Sequence, residues 1–381
     1  MFDPIMQAVR QVYGNGFVPL HVPCFSQLEK DHLNACIDST FVSSVGKFVD
    51  QFEDEVAAFT GAKHAVAVVN GTLGLFLGLR VVGVQANDLV LTQSLTFVAT
   101  PNAIKMLGAE PVFLDVSTET LGLSYDSLQL FLETQTRQDN NCCVHKITGQ
   151  TVSACMPMHT LGMPAEIDRI VELCHSHNIK VVEDAAESLG SYWKGQHTGT
   201  FGDVGVFSFN GNKILTTGGG GMLVTNNAAL ADKAKHLSTT AKMPHAWLFE
   251  HDEIGYNLRM PNLNAALGVA QMAKLPEFLT KKRQIAESYQ QALSNQTGLK
   301  VLQESLFAKS NYWLNAVLFE NPTDRDTFLA ESNALNIQTR PLWRPMHQLE
   351  IYQNCLRTEL PNTEYLASRL VNIPSGVKCH A

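Results

Sequence analysis

Three short stretches of this 381-residue chain combine residue types that can do chemistry. Asn70-Gly71-Thr72 follows the β-branched run Ala65 to Val69 and opens a helical pattern. A helix N-terminus offers unpaired N–H groups and the positive end of a dipole, and Gly71 lets an anion approach the backbone closely. Thr72 adds a hydroxyl, although the triplet also reads as a plain cap formed by Thr72. Asp184 lies just past the apolar run Val181-Val182, at the carboxyl end of a strand, where open α/β sheets place ligands. A carboxylate there can reach a buried cation; the plainer alternative is a helix cap. Lys213 stands between Phe207-Ser208-Phe209 and the run Gly218 to Gly221. An ε-amine held there can form an imine with an aldehyde, where a lysine on its own reads equally as a solvated loop residue. The three occur in one order along one α/β pattern, which favours a joint role. Gly71, Gly74 and Gly78 do not give the G-x-G-x-x-G fingerprint of dinucleotide binding, and no Gly-Lys-Ser/Thr follows.

The elements that must position these residues follow from periodicity. Strands are expected at Ala65 to Val69, Asp88 to Leu91, Pro111 to Leu114, Ser153 to Met158 and Lys180 to Glu183. Helical patterns at Leu73 to Val82, Ala99 to Leu107 and Ala165 to His177 separate them. Short apolar runs flanked by helices imply strands covered on both faces, hence an α/β sheet. Val204 to Phe209 and Met222 to Thr225 leave no room for a helix between them, so one antiparallel element is expected. Helices follow at Asn262 to Lys274 and Glu277 to Leu293, then a smaller α+β segment. The division is placed at residues 1–275 for an N-terminal arm and the large domain, and 276–381 for the second long helix and a small domain. Gln135 to Gln150 is polar and reads as an exposed loop.

Composition narrows the class. With 28 basic and 36 acidic residues the net charge is −8, so no basic field recommends a nucleic-acid partner. Met1 to Arg10 lacks the apolar core of a signal peptide, and no apolar run is long enough to span a bilayer, so a cytoplasmic protein is expected. Eight cysteines without C-x-x-C spacing read as free thiols. Cys174, His175 and His177 have no matching second half, and no metal site is expected.

Further motifs join the first three: Thr96-Phe97-Val98-Ala99-Thr100, Glu183-Asp184-Ala185-Ala186-Glu187 and Gly255-Tyr256-Asn257-Leu258-Arg259. Together the five, over about Ser39 to Leu275, resemble the DegT/DnrJ/StrS family of sugar aminotransferases. The resemblance implies fold type I of the pyridoxal-phosphate (PLP) enzymes, the aspartate aminotransferase fold, and a homodimer with shared active sites. It implies that Lys213 carries the cofactor as a Schiff base, that Asp184 partners the ring nitrogen and that Phe97 stacks on the ring. Gly71, Thr72 and Ser208 would hold the phosphate, Glu187 would lie near the phenolic oxygen, and Asn257 would reach the neighbouring subunit's phosphate. On its own, Phe97 reads as core and Asn257 as a turn residue.

Phe41 to Lys47, Gly218 to Gly221, His251 to Asn257, Gln338 to Pro341 and Met346-His347 look like the branch of that family acting in legionaminic-acid synthesis. That likeness implies amination at C4 of a UDP-linked 4-keto-6-deoxy-N-acetylhexosamine, with L-glutamate as donor. Arg340 and His347 are expected at the mouth of the site, facing a diphosphate or a carboxylate; a surface-paired Arg and a locally satisfied His are the alternative. Met163 stands where many relatives carry His. Sugar dehydratases of this fold lack the lysine, so Lys213 argues against that class, and the absence of a basic patch argues against a DNA-binding regulator.

Overall fold

The computed structural model describes residues 2–378. Its centre is a seven-stranded sheet built from β1 (His64–Val68), β2 (Leu89–Gln93), β3 (Glu110–Leu114), β4 (Val152–Met156), β5 (Lys180–Asp184), β6 (Val204–Ser208) and β7 (Gly221–Thr225), in the order β1-β7-β6-β5-β4-β2-β3. Every strand pair is parallel except those made by β7, which runs antiparallel to both β1 and β6. The strands are almost wholly buried because helices cover both faces, which is why they read as continuous apolar runs. The expected strands and helices are present, with ends differing by one to a few residues.

Helix α1 is Asp3–Tyr13 and α2 is Gly71–Val81. Helix α2 lies on the sheet through its glycines. A Cβ on Gly74 would sit 2.7 Å from Val206 Cγ1, and one on Gly78 3.1 Å from Val182 Cγ1. The three glycines that fail as a dinucleotide fingerprint are thus spaced to let a helix approach strands β5 and β6 closely. Helix α3 (Ala99–Met106) and α4 (Ile167–Ser176) follow their expected patterns, as do α5 (Asn262–Met272) and α6 (Leu275–Leu293).

A four-stranded antiparallel sheet closes the structure: β8 (Leu299–Val301), β9 (Asn315–Phe319), β10 (Arg340–Pro341) and β11 (Leu370–Ile373), in the order β8-β9-β11-β10. Phe2, Ile5, Met6 and Val9 of α1 pack in one core with Tyr289 and Leu293 of α6 and Phe319, Phe328 and Ile373 of this C-terminal unit. The N-terminal arm expected within residues 1–275 thus packs, through α1, on the C-terminal unit.

Two other expectations change. Gln135 to Gln150 is not a loop. Thr136–Asp139 and Cys142–His145 pair as a hairpin, and its two-residue turn, Asn140-Asn141, has φ of +50° and +63°. Asparagine tolerates that left-handed region, so the pair supplies the turn type that matches strand twist. Cys36, Cys142, Cys143, Cys155, Cys174 and Cys355 carry free thiols, but Cys24 is disulfide-bonded, a departure from the all-thiol reading. His175 pairs with Asp203 and His177 bonds the Leu173 carbonyl. Among the described residues no helix is long and apolar enough to cross a membrane.

Candidate active site

A cavity of about 200 Å³ opens at the carboxyl ends of the strands, and seven of the expected residues line it: Gly71, Thr72, Phe97, Asp184, Glu187, Ser208 and Lys213. Each reaches it from a different element end. Helix α2 is capped by Asn70, whose side chain accepts the Leu73 N–H at 2.9 Å, so Asn70 and not Thr72 is the cap. Gly71 and Thr72 are then the first helical residues, with N–H groups that the helix itself cannot pair. Ser208 ends β6 beside them, and a Cβ on Gly71 would sit 2.8 Å from Ser208 Cβ. Only glycine lets the helix start sit this close to the strand end.

Asp184 ends β5 and is buried. Its carboxylate accepts the Thr100 hydroxyl at 2.7 Å and the Ala186 N–H at 3.2 Å. Burial raises its pKa above the usual carboxylate range, against these hydrogen bonds and nearby Lys213. A cation set against it would favour the charged form. Glu187, a turn further along, accepts the Leu161 N–H at 2.9 Å and lies 3.3 Å from Lys213 Nζ. Burial pushes its carboxyl up to about 7, although the Lys213 charge pulls the other way. Lys213 is nearly enclosed, with 11% of its side chain exposed, and follows a turn in which its own N–H donates to the Asn210 carbonyl at 3.0 Å. Phe97, 47% exposed, turns its ring towards Trp343, with centroids 6.1 Å apart.

The remaining expected residues lie elsewhere in the chain's own structure. Asn257 is exposed, away from this cavity, with its Oδ1 accepting from Arg259 Nε at 3.3 Å. Arg340 sits exposed on edge strand β10, and its guanidinium donates to Asn333 Oδ1 at 3.0 Å and to the Thr339 carbonyl at 2.8 Å. Both bonds are made by Nη1 and tie the side chain to its own unit, outside the lining of this cavity. His347 Nδ1 bonds the Ser94 hydroxyl at 2.8 Å, and burial keeps its pKa below the usual value. It ties the C-terminal unit to the end of β2, near Phe97, rather than lining the cavity. Met163 is core, packed with Ala286 and Tyr312.

Three contributors lie outside the expected set. Thr100 was quoted only as part of a motif; its place at the start of α3, four residues from Thr96 whose hydroxyl it meets at 2.7 Å, is a tertiary consequence. Trp313 and Trp343 line the cavity from the C-terminal unit, and nothing in their local sequence marks them.

The arrangement has an anion end, a buried carboxylate facing the cavity, an exposed ring face and an amine in between. That donor set fits PLP: Gly71, Thr72 and Ser208 would hold its phosphate, Asp184 would face its ring nitrogen and Lys213 would take its aldehyde. Comparison with known proteins bears on the same point. Residues 23–380 match the DegT/DnrJ/EryC1/StrS aminotransferase family, and the chain belongs to it. It is similar to a protein of Escherichia coli O157:H7 named GDP-perosamine synthase, 36% identical over 359 residues, covering 94% of this chain and 93% of that one. A GDP-perosamine synthase of Vibrio cholerae is 34% identical over 361 residues, with 94% of each chain covered. The crystal structure of the aminotransferase TlmJ from Streptoalloteichus hindustanus superposes with a TM-score of 0.85 at 30% identity, covering 94% of each chain. The chain is therefore a PLP-dependent aminotransferase of fold type I.

Proposed function

We propose that this enzyme moves an amino group from L-glutamate to C4 of a UDP-linked 4-keto-6-deoxy-N-acetylhexosamine, in the cytoplasm, for amino sugars of surface glycans. The observation that carries the aminotransferase part is one cavity holding Lys213 between Glu187 and the strand-end Asp184. When bound, PLP supplies an aldehyde that condenses with amines and a ring that takes up the electron pair left by a departing proton. Asp184 supplies a fixed negative charge for the ring nitrogen. Lys213 would hold the cofactor at rest and, with its nitrogen free, would take the donor's α-proton on Nζ and return it, as general base and then acid. Glu187 lies within hydrogen-bond reach of that nitrogen and, with its carboxyl near 7, can share a proton with it. The carbon chemistry runs twice, once for each substrate, on the same residues.

The UDP-N-acetylhexosamine part is supported by the legionaminic-branch motifs. A second reading, a GDP-linked 4-keto sugar, is favoured by the relatives named GDP-perosamine synthase. A homodimer with shared sites is part of the proposal. It is supported by the exposed Asn257 and by Trp247, Phe249 and Ile254, each more than 75% exposed, since apolar side chains grouped on a surface mark a contact face. The experiment is a panel of UDP-, GDP- and dTDP-linked 4-keto sugars with 15N-glutamate, following the label. Transfer to the UDP-N-acetyl sugar alone supports the first reading and transfer to the GDP sugar the second. No transfer to any sugar, with glutamate still converted, would remove nucleotide sugars as substrates.

A further inference from the structure

The C-terminal unit sends Trp313 to the catalytic lysine. The centroid of its ring lies 4.3 Å from Lys213 Nζ. Three hydrogen bonds fix that ring. Its indole Nε1 donates to the carbonyl of Asn212, the residue before Lys213, at 2.7 Å. Its backbone N–H donates to Asn311 Oδ1 at 2.8 Å, and its carbonyl accepts from Lys282 Nζ at 2.7 Å. Asn311 then donates to the carbonyls of Glu187 and Leu189, both at 2.9 Å. Lys282, itself buried, donates also to the Ser375 carbonyl at 2.6 Å. The indole is thereby referenced to both ends of the Lys213–Glu187 pair. Trp313 is 4% exposed, so little of its surface is open to water.

We propose that Trp313 is a positioning residue for Lys213: its indole face holds the lysine nitrogen beside Glu187 whenever that nitrogen is protonated and not covalently engaged. The face of an indole carries negative charge density and attracts a cation without accepting a directed hydrogen bond. The ammonium therefore has one hydrogen-bonded ionic partner, Glu187 at 3.3 Å, and a second attraction that tolerates movement along the cavity. Two other titratable groups bear on it: the buried carboxyl of Asp184, and His21 of the N-terminal segment, whose pKa burial holds well below the usual value so that the ring stays neutral. The face suits a nitrogen that must leave and return in every half-reaction, where a second carboxylate would pin it.

This inference rests on Lys213 being the cofactor lysine, but its test does not need transamination. Tryptophan analogues with one to four ring fluorines, placed at position 313 by nonsense suppression, withdraw charge from the face while barely changing its shape. The readout is the rate at which Lys213 of the cofactor-free protein is arylated by trinitrobenzenesulfonate, followed on its own peptide by mass spectrometry across pH. Only the free amine reacts. Each fluorine should therefore speed the reaction, by about fivefold over the series, and move the profile to lower pH. Trp313→Phe, with a weaker face, should fall within the series. A rate independent of fluorine number would overturn the proposal, since a ring that merely fills space is unaffected by its charge. A failed sugar panel beside an intact fluorine series would overturn the substrate reading and leave this one standing.

Discussion

Asp184 and Glu187 lie three residues apart, and burial raises both, yet the cavity uses them differently. Asp184 is aimed at the place of a ring cation and has no formal charge in hydrogen-bond contact. Asp184→Asn should still bind PLP but lose roughly 2–4 kcal/mol of transition-state stabilisation, the scale of a preorganised charge in a desolvated site. Stopped-flow absorbance of the glutamate half-reaction reads this, and a variant near wild-type speed would reduce Asp184 to a structural cap. Glu187 gives a pH signature. Its carboxyl goes from 4.5 in the open chain to about 7 when folded, so the folded state binds the proton more tightly. Its contribution to stability is complete below 4.5 and is lost as pH rises through 7, by up to about 3 kcal/mol. Urea unfolding of the cofactor-free protein should thus show stability falling between pH 5 and 7, and Glu187→Gln should lack that part of the slope. Asp184 adds a slope of the same sign to both proteins, so the difference between them is the test; parallel curves would contradict the assignment. At this scale Lys213 and Asp184 were legible because each follows an apolar strand at a fixed offset. Trp313 was not, because it lies 100 residues from Lys213 and meets it only through tertiary packing.

The start of α2 and the end of β6 form the anion end of the cavity, and their closeness depends on Gly71. Gly71→Ala would place a methyl 2.8 Å from Ser208 Cβ. Overpacking of that size costs about 1–3 kcal/mol, and here it falls on the phosphate cradle, so the PLP dissociation constant should rise by roughly tenfold or more. Equilibrium dialysis measures it; unchanged affinity would place the phosphate elsewhere. The strands of the large sheet were readable because burial on both faces leaves continuous apolar runs bounded by turns. The hairpin at 136–145 was not, because its signal is a polar Asn-Asn turn between strands too short and too mixed to show alternation. Strand β10 was equally hidden: two residues on an edge carry no periodicity, and the bond from Arg340 to Asn333 depends on how the strand meets the preceding helix.

At the scale of the whole molecule, Asn257 and the apolar side chains of residues 243–254 face away from the chain's own cavity. Under the shared-site proposal, Lys213→Ala and Asn257→Ala are each inactive, and co-expression creates mixed dimers with one doubly damaged site and one intact site. Roughly a quarter of the sites should then work if the chains pair at random. Activity no higher than in either parent would show that Asn257 does not complete a neighbouring site. The place of α1 was the least legible feature, since an amphipathic helix does not say which core will receive it. Its receiving core has a consequence for the order of synthesis. Phe2, Ile5, Met6 and Val9 leave the ribosome more than three hundred residues before their partners Phe319, Phe328 and Ile373. At about 5–20 residues per second the apolar face of α1 waits at least about fifteen seconds without its cover. During that interval the large sheet can already form, while α1, made before every strand of that sheet, is among the last elements to dock.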